Sequence, residues 1–158
     1  MTSRLELAEY LRSLPRKRMS AGAVLTDARG HWLMVKPTYR AGWSIPGGVV
    51  EADESPRRAC QREVFEETGL AIEPHPLLLV DYAPSQGDLV EGVHFVFGAD
   101  RCEAEVEIRL ADDELSAWRF VPPKTAIQLA EPGLSRRLAA LVEEGLPRPV
   151  YLEQGSAR

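Results

Sequence analysis

Glu63, Glu66 and Glu67 stand at positions i, i+3 and i+4 of the run Cys60-Gln61-Arg62-Glu63-Val64-Phe65-Glu66-Glu67-Thr68-Gly69. On a helix this spacing gathers three carboxylates on one narrow face. The helix has readable ends. Ser55 is a good N-cap, Pro56 suits the first helical position, and Thr68-Gly69 supplies the stop. Each like-charge pair at such spacing costs an isolated helix roughly 0.2–0.5 kcal/mol. The glutamates also occupy the C-terminal half, where the helix dipole disfavours negative charge. A helix built only for stability would not place them there. A hard divalent cation removes both objections, because Mg²⁺ or Mn²⁺ prefers oxygen ligands and is typically shared between a few carboxylates and substrate phosphates.

The wider stretch Trp43 to Leu70 extends the pattern. It runs Gly48, five residues, Glu54, seven residues, Arg62-Glu63, the aliphatic Val64, one residue, Glu66-Glu67, one residue, Gly69, and the aliphatic Leu70. This resembles the Nudix box at every defined position, and Trp43…Pro46-Gly47-Gly48 resembles the family's usual lead-in. The resemblance implies a metal-dependent pyrophosphohydrolase. Such an enzyme cleaves the diphosphate linkage of a nucleoside diphosphate derivative by attack of a metal-activated water, with Mg²⁺ or Mn²⁺ as cofactor. It further implies that Glu63, Glu66 and Glu67 are metal ligands, joined by the backbone carbonyl of Gly47. Glu63 or a neighbouring carboxylate would double as the base. Arg62, at i,i+4 from Glu66, would hold that ligand's rotamer, and Glu54 would brace the loop against the helix. Gly48 and Gly69 are conformational, and Val64 and Leu70 are expected in the core.

Outside the box, Asp112-Asp113-Glu114 is the first candidate for a further ligand from a distant loop, with a polar turn as the simpler reading. Glu91 is the second. Tyr39 and Trp43 could stack on a base, although Trp43 equally suits packing in the lead-in, and Arg40 could meet a phosphate. His94, in mid-strand, reads as structural. The basic run Arg16-Lys17-Arg18 reads as a solvated connection, with phosphate contact as the alternative. Substrate selection is expected in loops 38–43 and 83–92. Two other function classes compete. One is a non-hydrolytic Nudix-fold nucleotide-binding or regulatory protein, which often has a degraded box. The other is the related diphosphate isomerase, whose cysteine context neither Cys60 nor Cys102 provides.

The 158 residues suffice for one domain with a sizeable core. A net charge of −5 argues against stable nucleic-acid binding. The two cysteines lie far apart and form no CxxC, which speaks against a disulfide scaffold and structural zinc. No stretch approaches a membrane span, and residues 1–18 lack the apolar core of a signal peptide. The expectation is a cytoplasmic protein acting on a small molecule without a membrane partner.

These residues need a scaffold. Leu7, Leu11 and Leu14 stripe a helix over residues 4–14 that should dock on the domain or on a second copy in a homodimer. Residues 1–18 thus read as an amphipathic helix with a basic connection, and 19–158 as a single Nudix domain. Residues 19–36 read as a hairpin around Thr26–Gly30. Strands are expected at 77–80, 93–97, 103–108 and 118–121, and two helical pieces in 124–145 break at Pro132. Residues 150–152 form a last short strand or simply pack down. The order of elements suits an α/β protein, a mixed sheet covered on both faces, and the resemblance implies the Nudix-type α/β/α sandwich.

Overall fold

A computed structural model describes residues 4–103, 106–111, 113–146 and 148–157. In chain order the elements are α1 (Arg4–Ser13), β1 (Arg18–Val24), β2 (Trp32–Pro37), β3 (Gly47–Val49), α2 (Pro56–Thr68), β4 (Leu77–Ala83) and β5 (Gly92–Gly98). They continue with β6 (Leu115–Val121), α3 (Pro123–Leu129), α4 (Pro132–Val142), β7 (Val150–Glu153) and β8 (Ser156–Ala157). Six strands form a mixed sheet in the order β3-β1-β5-β4-β7-β8, and β2 pairs with β6 in a separate two-stranded sheet. One side of the mixed sheet packs on α2, where Ala21, Ala23 and Phe97 meet Ala59, Cys60 and Val64. The other side packs on α3 and α4, where Leu79, Val96 and Leu152 meet Ala126, Leu134 and Leu138. The result is the expected α/β/α sandwich with a mixed central sheet. Among the described residues, no helix is long and apolar enough to cross a membrane.

The box helix forms as its ends dictate. Ser55 Oγ accepts from the Arg58 N–H, Pro56 opens the first turn, and Gly69 closes the helix at φ 73° with its N–H on the Phe65 carbonyl. Cys60 is fully buried in the α2 contact, and burial pushes its thiol up to about 12, so it is an inert packing group.

Two expectations about the scaffold need correction, and a third is narrowed to one of its alternatives. Thr26–Gly30 does turn the chain, with Asp27 N–H bonded to the His31 carbonyl at 3.0 Å and Leu33 N–H to the Leu25 carbonyl at 2.9 Å. The hairpin over 19–36 ends there. Both edges of β1 are taken by β3 and β5, so no backbone groups remain for β2, which leaves to pair with β6. The strand over 103–108 does not form among its described residues, Ala104 and Glu105 lying outside them. Val106 N–H instead bonds the Glu103 carbonyl at 3.2 Å, which bends the chain, although Ile108 does pack inward as the alternation implies. Finally, α1 forms but does not dock its leucine stripe on the domain: Leu7, Leu11 and Leu14 are all exposed.

One buried ion pair ties the helical layer to the sheet. Asp81, in mid-β4 and 1% exposed, accepts from Arg137 Nε of α4 at 2.6 Å and from the Gly155 N–H at 2.9 Å. Removing one member of such a pair strands the other charge in the interior. Asp81→Ala should therefore lower unfolding stability by about 3–5 kcal/mol, measurable by urea denaturation.

Candidate active site

The lead-in loop enters the sheet as β3. It pairs antiparallel with β1, Gly22 opposite Gly47 and Ser20 opposite Val49, and so brings Gly47 and Gly48 against the acidic face of α2. The Gly47 N–H donates to Glu67 Oε2 at 2.8 Å. A Cβ added at Gly48 would be built inside the Glu63 carboxyl group, so only glycine leaves that carboxylate its place.

Arg62 is the hub of the acidic group. Its Nε and Nη2 fork onto Glu54 Oε1 and Oε2, both at 2.9 Å, and Nη2 also reaches the Val49 carbonyl at 3.0 Å. Nη1 bridges Glu63 Oε1 at 2.9 Å and Glu66 Oε2 at 3.2 Å. The guanidinium and the Glu51 N–H hold the Glu54 carboxyl down to about 2. Loop brace and helix face are thus joined through one side chain, the arrangement expected for Arg62 and Glu54.

Glu67 behaves differently. Burial, reinforced by the charges of Glu63 and Glu114, pushes its carboxyl up to about 7, against the Gly47 N–H and the charge of Arg40. Glu63 is also raised, chiefly by burial, with Arg62 opposing and Glu66 and Glu114 adding repulsion. Both shifts come first from burial, a cost that a bound cation would offset. Among the described residues no three metal-ligating side chains converge as they stand. Even so, Glu63 Oε2, Glu66 Oε1 and Glu67 Oε1 each lack a hydrogen-bond partner among those residues. An all-oxygen donor set with oxygens free of protein partners suits a hard divalent cation.

The second acidic segment does reach the site. Arg109 N–H bonds the Thr68 carbonyl at 2.9 Å and Ala111 N–H the Glu67 carbonyl at 3.3 Å, which lays residues 109–111 along the end of α2. Thr38 then pins the opposite loop to it, its N–H on the Glu114 carbonyl at 2.9 Å and its hydroxyl on the Asp113 carbonyl at 3.1 Å. Glu114 and Arg40 thereby act on Glu67 with opposite charges. Asp112 lies outside the described residues. Glu91 is not brought to the face, because Lys17 and the Tyr82 hydroxyl hold its carboxylate, each at 2.7 Å.

Beside Gly47 and Gly48 opens a cavity of about 740 Å³. Tyr39 and Arg40 line it from one expected loop, and Pro84, Gln86 and Leu89 from the other. Tyr39 is 74% exposed, with Arg40 over its ring at 5.9 Å. Trp43 does not line the cavity. It packs against the α3–α4 core with the Arg119 guanidinium 4.3 Å over its ring, so the packing reading of this residue describes it. The sequence offered Arg18 as a possible phosphate contact and His94 as structural, but missed that they meet Ser20 on the floor of the cavity, beside Arg136 and Arg137 of α4. The available signal was the polarity of Ser20 and His94 in the middle of otherwise apolar strands.

The NUDIX domain family matches residues 16–142. A MutT-like protein of Streptomyces ambofaciens is 31% identical over 130 residues, covering 82% of this chain and 80% of that protein. The phosphatase NudJ of Escherichia coli is 41% identical over 110 residues, covering 67% of this chain and 69% of NudJ. Among solved structures, the MutT protein of Methanosarcina mazei superposes with a TM-score of 0.70 at 20% identity, covering 82% of this chain and 96% of that one. Box, fold and relatives agree: the chain belongs to the Nudix family of hydrolases.

Proposed function

We propose that the protein is a metal-dependent pyrophosphohydrolase that cleaves the diphosphate linkage of a nucleoside diphosphate derivative. The observation that carries this reading is the acidic face of α2, where Glu63, Glu66 and Glu67 each keep an unpartnered oxygen beside a cavity lined by arginine. Mg²⁺ or Mn²⁺, held by those oxygens and the Gly47 carbonyl, would supply Lewis-acid polarisation of the phosphoryl oxygens and lower the pKa of the attacking water. Arg62 fixes Glu63 and Glu66 and is itself locked by Glu54, while the Gly47 N–H aims Glu67. Arg40 lines the cavity and its charge acts on Glu67, which supports its meeting the diphosphate. Glu114 is the candidate for an added acidic contribution from the opposite loop. The names of the relatives, a phosphatase and a MutT-like protein, fit phosphate-ester or anhydride chemistry.

The test is a panel of nucleoside triphosphates, nucleotide sugars, ADP-ribose and dinucleoside polyphosphates with Mg²⁺ and Mn²⁺, following which phosphate is released. Turnover of at least one class, abolished by chelator, is expected; a panel with no turnover under either metal would refute hydrolysis. Arg62→Ala should weaken metal half-saturation roughly 10–100-fold, because the ligands lose their orienting contact. Arg62→Lys should rescue little of this, since an ammonium cannot fork across Glu54.

A further inference from the structure

The floor of the cavity carries a feature that diphosphate hydrolysis leaves unused. The sheet face under α3 and α4 is apolar where Leu79, Val96 and Leu152 are buried. It turns polar along one line, because Ser20 is in register with Val49 on one side and His94 on the other, and His94 with Asp81. Residues paired in register share a face, so Ser20, His94 and Asp81 form a polar row across three strands. Ser20 Oγ lies 2.6 Å from His94 Nδ1. Burial and the charges of Arg137 and Arg18 hold His94 down to about 4, so at neutral pH it is an uncharged hydrogen-bonding group.

Cations surround this row in excess. Arg18 precedes Ser20 by two residues on the same face and lies over Gly92, where any side chain would crowd its guanidinium. Its Nε is buried with no hydrogen-bond partner, and no carboxylate among the described residues pairs with it. Arg136 uses Nε on the Gln154 carbonyl at 3.0 Å. Among the described residues, Arg137 alone of the three has a carboxylate, Asp81. The one acid among the described residues that line the cavity, Glu131, is occupied in capping α4 through the N–H groups of Gly133 and Leu134. Arg18 and Arg136, neither paired with a carboxylate among the described residues, stand beside the half-buried Ser20 and His94 and, in a chain of net charge −5, make a site for an anion.

Its place determines what that anion belongs to. His94 stands two strands from Val49, roughly 10 Å at ordinary strand spacing, which is beyond the reach of a diphosphate seated at Gly47 and Gly48. Among the described residues the aromatic rings lining the cavity are Phe95, in register with Ala21 and packed on the α2 side, and Tyr39 at the exposed mouth, so neither stands over the polar row. We propose that Arg18 and Arg136, with Ser20 and His94, form a second anion subsite that selects substrates carrying a further phosphate or carboxylate beyond the scissile linkage. The first end of such a substrate rests on the pyrophosphohydrolase reading.

Binding without turnover separates the two ideas. Isothermal titration in EDTA compares AMP, adenosine 3′,5′-bisphosphate and a 2′-O-succinyl AMP on the wild type, Arg18→Gln and Arg136→Gln, each checked for folding by circular dichroism. The bisphosphate should bind roughly tenfold or more tightly than AMP, and either substitution should remove most of that advantage while AMP affinity holds. An equal gain for the succinyl compound would assign the subsite to anions in general, and a gain for the bisphosphate alone to phosphate. Equal affinities, no measurable binding of the bisphosphate, or an advantage untouched by both substitutions would overturn the subsite. Arg136→Gln, on an exposed helix face, keeps the test decisive if Arg18→Gln fails to fold. A silent hydrolysis panel with the bisphosphate advantage intact would remove the hydrolase reading alone.

Discussion

Glu67→Gln is expected to lower kcat about a thousandfold with the protein still folded. A metal ligand of this kind contributes several kcal/mol of transition-state charge stabilisation, and each 1.36 kcal/mol is about a factor of ten. The amide oxygen of glutamine can still accept the Gly47 N–H, so the loop keeps its anchor. Stability should move the other way. Folding raises the Glu67 carboxyl to about 7, so the folded state prefers it protonated. Its burial therefore costs nothing at low pH and weakens the metal-free protein as pH rises through 7. At pH 8 without metal, the glutamine variant should melt no lower than wild type, while turnover with Mg²⁺ collapses. Near-normal turnover on the true substrate would show that Glu67 is not a ligand.

Gly47→Ala should damage both fold and activity, for a purely steric reason. Gly47 sits at φ 147°, and a Cβ there would be driven into the Ala21 carbonyl oxygen and the Gly22 Cα of β1. Both are backbone atoms inside a paired ladder, so neither can swing aside as a side chain would. Strain and overpacking together should cost about 2–4 kcal/mol, read as a lowered denaturation midpoint. Any relaxation moves β3 away from β1 and with it the N–H that aims Glu67, so the surviving folded fraction should also lose kcat. A variant with wild-type stability and rate would contradict the described approach of β3 to β1.

The two predictions rest on parts of the molecule that differ in how they are written in the chain. The helix that carries the glutamates was legible because its cap, its opening proline and its closing glycine are local. So were β4, β5, β6 and the break before α4, each a short apolar or periodic run bounded by turn residues, whereas residues 150–152 left a strand and simple packing both open. Partner choice was not legible. The turn at Thr26–Gly30 is local and forms, but β1 takes β3 and β5 as neighbours and excludes β2, a competition settled across the whole sheet. Residues 103–108 alternate as a strand should, yet alternation describes a half-buried surface and not an available edge. For the same reason the box glutamates could be named from the sequence, whereas Ser20, His94 and Asp81 become neighbours only through register between strands distant in the chain. Asp113-Glu114 falls between these cases: its acidity was visible, but its approach to α2 depends on the Thr38 anchor.

The most direct test of the acidic face is anomalous diffraction from crystals soaked in Mn²⁺ with a non-hydrolysable diphosphate. An anomalous peak bonded to oxygens of Glu63, Glu66 and Glu67, with the diphosphate on the Gly47–Gly48 side, is the predicted result. Manganese bound elsewhere, with Arg62 and the Gly47 N–H still the only partners of those carboxylates, would contradict it.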